Sequence, residues 1–429
     1  MLPKYRSDEH SYPVPKFDLN LEEIQDFKER LEGFHEQFHD CFLRSESRSN
    51  FLRYMIGQFS PLERKSIEPI ALKVEDGKVR AMQRFVSDAP WDEEKIMLKY
   101  RNLVQSDFGS PDGALIFDES SFPKKGDDSV GVARQYCGSI GKVDNCQVGV
   151  FAAYASESGY SLVDTRLFIP EKWFTDEYKE RRKKCKLPDD ISFMSKPQLA
   201  AEMLNKLVSE RVLKFKYILG DSIYGNSPEF IAAASDLPGI TYFVSVPANT
   251  LCWPKIPATI RKKYKYKGES HTKTVLTDKT QKPIKLSTLA KSLNPYYWYR
   301  RTVSEGTKGP ITYEFTKRKI TISNSNLPQK VVWLVVRRTI GSDPIYSYYI
   351  SNAPHSTRLP TFVWLSGLRW AIEQSFEENK SNLGMDHYEV RKYPGWQHHM
   401  MTCMLGHFFL WHLKLSLEKK STVYYALFD

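Results

Sequence analysis

Two aspartates stand at the ends of short apolar runs roughly a hundred residues apart. Ala114-Leu115-Ile116-Phe117 leads into Asp118, and Tyr217-Ile218-Leu219-Gly220 leads into Asp221. An unbroken apolar run of four is the pattern of a strand buried on both faces, so each acid is expected at a strand tip. A third acid, Glu373, lies in a stretch of helical pattern. There Arg369, Glu373 and Lys380 fall at i, i+4 and i+11 and share one narrow stripe. Glu377 shares that stripe and rivals Glu373, whereas Glu378 points elsewhere. Ordinary i,i+4 ion pairing accounts for such a stripe taken alone; the two upstream aspartates are what give it chemical weight. Three carboxylates suit a hard divalent cation, because they supply oxygen ligands and leave positions for water and phosphate. Two Mg²⁺ ions about 3.5 to 4 Å apart can activate an attacking oxygen and stabilise a leaving one in phosphodiester chemistry. Asp118 would bridge both ions, with Asp221 and Glu373 each serving one.

The elements that must position these acids follow from periodicity. LEEIQDFKERLEGFHEQFHDCF, from Leu21, places Leu21, Ile24, Leu31, Phe34, Phe38 and Phe42 at helical spacing, and Asn20 with Glu23 forms a capping pair. Ser60-Pro61-Leu62-Glu63 reads as a second helix start, and a further helix is expected from Trp91 to Val104. Residues 1–108 therefore read as a helical domain. After Ala114–Phe117, strands are expected at Gln147–Tyr154 and Ser161–Ile169. A helix follows at Pro197–Lys214, with Leu199, Met203, Leu207 and Val208 inward, then the strand Tyr217–Gly220, a helix at Pro228–Ala234 and a strand at Thr241–Val246. Three strands, a helix, a strand, a helix and a strand is the order of a ribonuclease H-like mixed α/β sheet, whose first and fourth strands are neighbours. That assigns 109–246 to a first part of the core. Residues 247–344 alternate Lys, Thr, Tyr and Val and read as a β-rich insertion, and 345–429 return to helix as the second part of the core.

Composition bounds the partners. The 429 residues are 41% hydrophobic and 26% charged, which describes a folded chain. Lys and Arg outnumber Asp and Glu by 62 to 51, a net charge of +11 that favours a polyanion such as nucleic acid. No apolar run has the length of a membrane span, and the N-terminus lacks a secretory signal pattern. The six cysteines, Cys41, Cys137, Cys146, Cys185, Cys252 and Cys403, are scattered singly, as reduced thiols of a cytosolic protein would be. His35 and His39 stand four apart, which suits a metal pair, but no further ligand accompanies them and two helix-surface histidines is the plainer reading.

Several cations are candidates for phosphate contact. Arg369 and Lys380 flank the third acid, where they bind phosphate or merely neutralise Glu373. Lys125, Arg134 and Lys142 follow the first acid in a polar, Gly-spaced segment that could line a cleft. RRKKCK (Arg181–Lys186) and RKKYKYK (Arg261–Lys267) are basic runs that read equally as backbone contacts or solvated loops. Trp298 with Arg300 and Arg301, in the run Tyr296-Tyr297-Trp298-Tyr299, combines stacking rings with cations, although such runs are more often strand core.

Together, ERKSIEPIA, MQRFVSDAPWDEE, FDESSFPKKG, GVARQYCGSIGKVDNCQVGV, LGDSIYG, EGTKGP and RWAIEQSFEENKSNLGMDHYEVRKYPGW resemble bacterial insertion-sequence transposases with a DDE superfamily endonuclease domain. The resemblance covers Glu63 to the final helix. It implies a ribonuclease H-like core interrupted by a β-domain between the second and third acids, with Asp118, Asp221 and Glu373 as ligands of two Mg²⁺ ions that Mn²⁺ can replace. The superfamily signature Y-x-x-R-x(3)-E-x(6)-K is matched by Arg369, Glu373 and Lys380, while Ser366 stands where it has Tyr. The implied activity is metal-dependent excision and integration of an insertion sequence. Its partners would be double-stranded DNA, as terminal inverted repeats and target, and a second copy of the chain on that DNA, in the cytoplasm at the nucleoid and away from membranes. The alternatives are a catalytically silent DNA-binding derivative and a nuclease without strand transfer.

Overall fold

The computed structural model describes residues 21–267, 269–306 and 309–426; Asn20 of the expected capping pair lies outside them. In chain order come α1 (Leu21–Glu36), α2 (Ser45–Phe59), α3 (Ile67–Lys73), α4 (Val79–Ser87), α5 (Glu93–Phe108), β1 (Ala114–Pro123), β2 (Ala133–Cys137), β3 (Lys142–Ala155), β4 (Tyr160–Phe168), α6 (Lys179–Lys184) and α7 (Lys196–Glu210). Then follow β5 (Tyr217–Gly220), α8 (Ser222–Gly225), α9 (Pro228–Ser235), β6 (Thr241–Val246), β7 (Leu251–Trp253), β8 (Thr259–Tyr266), β9 (Glu269–Leu276), β10 (Ile284–Lys285) and α10 (Leu286–Lys291). The series closes with β11 (Tyr299–Gly306), β12 (Gly309–Asn324), β13 (Leu327–Arg338), β14 (Tyr346–Ser351), α11 (Leu359–Leu368), α12 (Trp370–Leu383) and α13 (Tyr393–Ala426). They fall into two compact units, 21–215 with 370–426, and Lys216–Arg369.

In the first unit β3 is the central strand. It pairs antiparallel with β1 along one edge, and with β2 and then β4 along the other. Its last ten residues are all buried, as a strand covered on both faces requires. The expected N-terminal helices are present, and they pack with α13 inside this unit. Phe34 rests against Phe408 and Phe409, with ring centroids 6.2 and 5.2 Å away, and the Tyr54 hydroxyl lies 2.8 Å from Nδ1 of His399. Arg101 of α5 is fully buried between Asp164 of β4, at 3.2 Å, and Glu210 of α7, at 2.8 Å. A buried cation held by two carboxylates tolerates few alternative arrangements, since removing either partner leaves an uncompensated charge.

The second unit holds a mixed sheet in the order β10-β7-β12-β13-β14-β6-β5, with β11 on β12. β5 and β6 are parallel, so the chain must cross over between them, and α8 and α9 form that crossover. The other pairings are antiparallel. β8 and β9 form a two-stranded sheet of their own. The order β4-β3-β1 in one unit and the parallel β5-β6 in the other are the two parts of the ribonuclease H-like arrangement that the sequence predicts, and the β-rich segment after β6 is likewise as expected.

Local departures have identifiable causes. Ser60 ends α2 instead of starting a helix: its amide bonds the carbonyl of Gly57, Pro61 cannot extend the ladder, and α3 begins only at Ile67. α5 begins after Asp92, whose side chain accepts from the amide of Lys95, as an N-cap should. β1 continues past Asp118 to Pro123 because β3 is long enough to pair with all of it. The expected single helix through Arg369, Glu373 and Lys380 is two: Arg369 caps α11 at its C-terminus, and α12 starts at Trp370.

Candidate active site

Asp118 lies in mid-strand, half-buried, directly across from Phe151 of β3. One of its carboxylate oxygens accepts from the amide of Glu119 at 2.9 Å. The residues before it, Ala114 to Phe117, are wholly buried, so the backbone that carries the acid is fixed by core packing. Glu119, also half-buried, takes the ammonium of Lys196 at 3.1 Å. Lys196 is the first residue of α7.

Asp221 follows β5 directly and caps α8, its side chain accepting from the amide of Ile223 at 2.8 Å. The turn is held from below. A Cβ on Gly225 would come within 1.9 Å of the Ser245 carbonyl oxygen, so this close approach of α8 to β6 needs glycine. Gly225 in turn donates its amide to the Asp221 carbonyl at 2.9 Å.

Glu373 is exposed in the first turn of α12, where the helix dipole favours a carboxylate. Glu377 is exposed one turn later. Glu378 is buried, within 2.8 Å of the Tyr160 hydroxyl and 2.7 Å of Nε2 of His407, so its direction differs from that of its neighbours, as expected. Lys380, in the last turn, has its ammonium 5.5 Å from the Phe122 ring, and burial lowers its pKa against the opposing pull of Asp386. Asp118 and Glu119 are thus adjacent half-buried carboxylates of the first unit, and Asp221 is a half-buried carboxylate at a strand end of the second.

The remaining candidates differ in exposure. Lys125 is exposed after β1, while its neighbour Lys124 is drawn inward: its ammonium sits 3.4 Å over the Tyr388 ring and donates to the Tyr388 carbonyl, and burial lowers its pKa to about 8. Arg134 on β2 and Lys142 on β3 are both exposed. Lys142 lies 3.4 Å from Asp144, whose carboxylate is held below its usual range by the Asn145 amide and by Lys142, with a smaller pull from Arg134. Trp298 is buried with the Arg338 guanidinium 4.0 Å over its ring, so one face of this ring is already taken. The open rings of that run are Tyr296, Tyr297 and Tyr299, and Arg300 and Arg301 are exposed beside them. In the basic run Arg181–Lys186, the Arg182 guanidinium donates to the carbonyls of Trp173 and Thr175. His39 spends its Nε2 on Nδ1 of His35 at 3.1 Å, leaving the pair bonded to each other. All six cysteines are free and buried.

The sequence pattern does not single out Glu119, because neighbours on a strand point to opposite faces and the apolar run leads directly into Asp118. The signal was the doubled acid of FDESSF. Lys196 carried no local signal, since its pairing with Glu119 is a product of tertiary structure. Among the described residues, no helix is long and apolar enough to cross a membrane.

The DDE superfamily endonuclease family matches residues 37–310. The "Probable transposase for insertion sequence element IS701" of Microchaete diplosiphon is 26% identical over 342 residues, which cover 79% of this chain and 76% of that one. Among solved structures, the piggyBac transposase in its synaptic complex with hairpin DNA aligns with 96% of this chain and 70% of its own, at 10% identity and a TM-score of 0.35.

Proposed function

Because the chain belongs to the DDE superfamily endonuclease family, we propose that it is a DNA transposase that excises and integrates an insertion sequence by metal-dependent phosphoryl transfer. The observation that supports this reading is that each unit fixes a carboxylate at the end of a buried apolar run, Asp118 after Ala114–Phe117 on β1 and Asp221 after Tyr217–Gly220 of β5. Hard oxygen donors of this kind suit Mg²⁺ or Mn²⁺ and not the softer transition metals. The name of the Microchaete relative points to the same activity.

In this reading Asp118, Asp221 and Glu373 would hold two Mg²⁺ ions. When bound, these supply activation of water or a 3′-hydroxyl and stabilisation of the leaving oxygen. The protein's own part is orientation. The buried run before Asp118 and the glycine-floored turn after Asp221 fix two carboxylates on rigid backbone, and Arg369 and Lys380 take phosphates next to the scissile bond. Water cuts at the element ends, and the freed 3′-hydroxyls then attack target DNA. Two ends must be cut and joined together, so the working form is a dimer on DNA, acting at the nucleoid, with the N-terminal helices reading the terminal repeats.

The test mixes purified full-length protein with Mg²⁺ and labelled ends taken from the inverted repeats that bracket the gene. Asp118→Ala, Asp221→Ala and Glu373→Ala should each abolish cleavage and leave end binding intact. Unimpaired cleavage by the Glu373 variant, with loss in Glu377→Ala, would move the third ligand one turn along α12. End binding without nicking in Mg²⁺ or Mn²⁺ would make the protein a silent DNA-binding derivative, and cut ends that are never joined would make it a nuclease.

A further inference from the structure

The hairpin β8–β9 has no place in the core. Every residue of β8 is exposed, and β9 is half-buried only at His271, Val275 and Leu276. Two strands alone are marginal in water, and this pair carries a further handicap. Lys262 and Lys273 are directly opposite in register, and like charges across a strand pair destabilise it. Arg261, Lys262, Lys263, Lys265, Lys267 and Lys273 make no ion pair among the described residues, and Glu269, the hairpin's acid, faces His271 at 3.8 Å.

Register sorts the cations onto faces. Arg261, Lys263 and Lys265 lie on one face, opposite Thr274, Thr272 and Ser270. This face therefore repeats one cation beside one hydroxyl every two residues, roughly 6.8 Å apart, close to the separation of successive phosphates along a nucleic-acid strand. Lys262, Tyr264 and Lys273 occupy the other face, with the Lys273 ammonium 5.1 Å from the Tyr264 ring.

We infer that β8–β9 is a DNA-binding ribbon whose Arg261-Lys263-Lys265 face tracks the phosphates of a duplex. The identity of the polyanion rests on the DNA transposase reading. Hydroxyls and cations both bond phosphate oxygens, and a two-stranded ribbon fits the width of a major groove. Between 261 and 265, and between 270 and 274, this face carries no apolar side chain that could anchor in a bilayer. Bound phosphates also offset the repulsion that the free hairpin bears.

Binding of a fluorescent duplex of arbitrary sequence to the full-length protein in EDTA, measured against salt, tests this separately from chemistry. In the triple variant Arg261→Gln, Lys263→Gln, Lys265→Gln, affinity should fall at least about tenfold, and the slope of log K on log salt should lose roughly 2 to 3. Lys263→Thr alone keeps a strand-forming residue and should cost a slope of about 1. Lys262→Gln with Lys273→Gln removes two charges from the other face; it should raise the thermal midpoint and change the slope less than the triple does. An unchanged slope in both the triple and Lys263→Thr overturns the proposal, as does tighter binding to phosphatidylserine vesicles or single-stranded RNA than to the duplex. If wild-type protein never cleaves its ends yet the ribbon variants lose slope, the catalytic reading fails and the ribbon stands; cleavage with an unaltered slope is the reverse.

Discussion

Glu378 and His407 meet 2.7 Å apart with both side chains buried. The same carboxylate takes the Tyr160 hydroxyl at 2.8 Å and the Gln374 amide at 3.0 Å, so one acid of α12 ties that helix to α13 and β4. Removing it strands several polar groups in the core. Glu378→Ala should lose about 3 to 5 kcal/mol, whereas Glu377→Ala, one residue away and exposed, should stay within about 0.5 kcal/mol. Denaturant titration of the two variants compares them directly, and equal losses would show that the network does not hold α12.

Acid should loosen the first unit. Burial lowers His399 to about 3 and His35 to about 4. Both are therefore neutral when folded, with the Tyr54 hydroxyl donating to His399 Nδ1 and the opposite ring nitrogen facing the Met385 carbonyl. Unfolded histidine titrates near 6.5. As pH falls below 6.5 the unfolded chain binds protons that the folded chain refuses, and stability drops until the folded values are reached. At pH 5 the loss is on the order of 2 kcal/mol per histidine. His399→Gln should flatten the decline between pH 6.5 and 4; an unaltered profile would place the acid sensitivity elsewhere.

Gly225 leaves no room for a methyl group beneath the Ser245 carbonyl. Gly225→Ala should cost about 1 to 3 kcal/mol through overpacking. Because the displaced α8 carries Asp221 as its cap, cleavage should fall by about a hundredfold. Full activity in a destabilised Gly225→Ala protein would uncouple that turn from the chemistry.

Ion binding should register as stability. At a Mg²⁺ concentration one hundred times its dissociation constant, the folded state gains roughly 2.7 kcal/mol, visible as a raised thermal midpoint that EDTA reverses. Asp118→Asn and Asp221→Asn should each erase most of that rise. A full rise in both variants would put the ion somewhere else.

Much of this was legible in advance wherever local pattern and tertiary demand agree. Thr241–Val246 is a strand at its expected bounds, and the apolar runs before Asp118 and Asp221 are buried strands. Pattern failed where a partner decided the outcome. The far half of β1 is polar and is strand only because β3 pairs with it; β2 is short and alternates weakly, and it too exists through β3. The stripe through Arg369 and Glu373 assumed an unbroken helix, and no residue between them announces a break. Burial of Trp298 was equally unreadable, because the Arg338 that covers it lies forty residues on in sequence.

The first unit is assembled from two stretches of chain that flank the second. Phe34, Tyr54 and Arg101 belong to the earlier stretch, whereas Phe408 and His399 of α13 are made only after the whole of the second unit. Until α13 has been made, the early helices lack the apolar partners that cover them in the folded unit. A frameshift or stop codon after β14 would thus disable the product outright instead of trimming a dispensable tail.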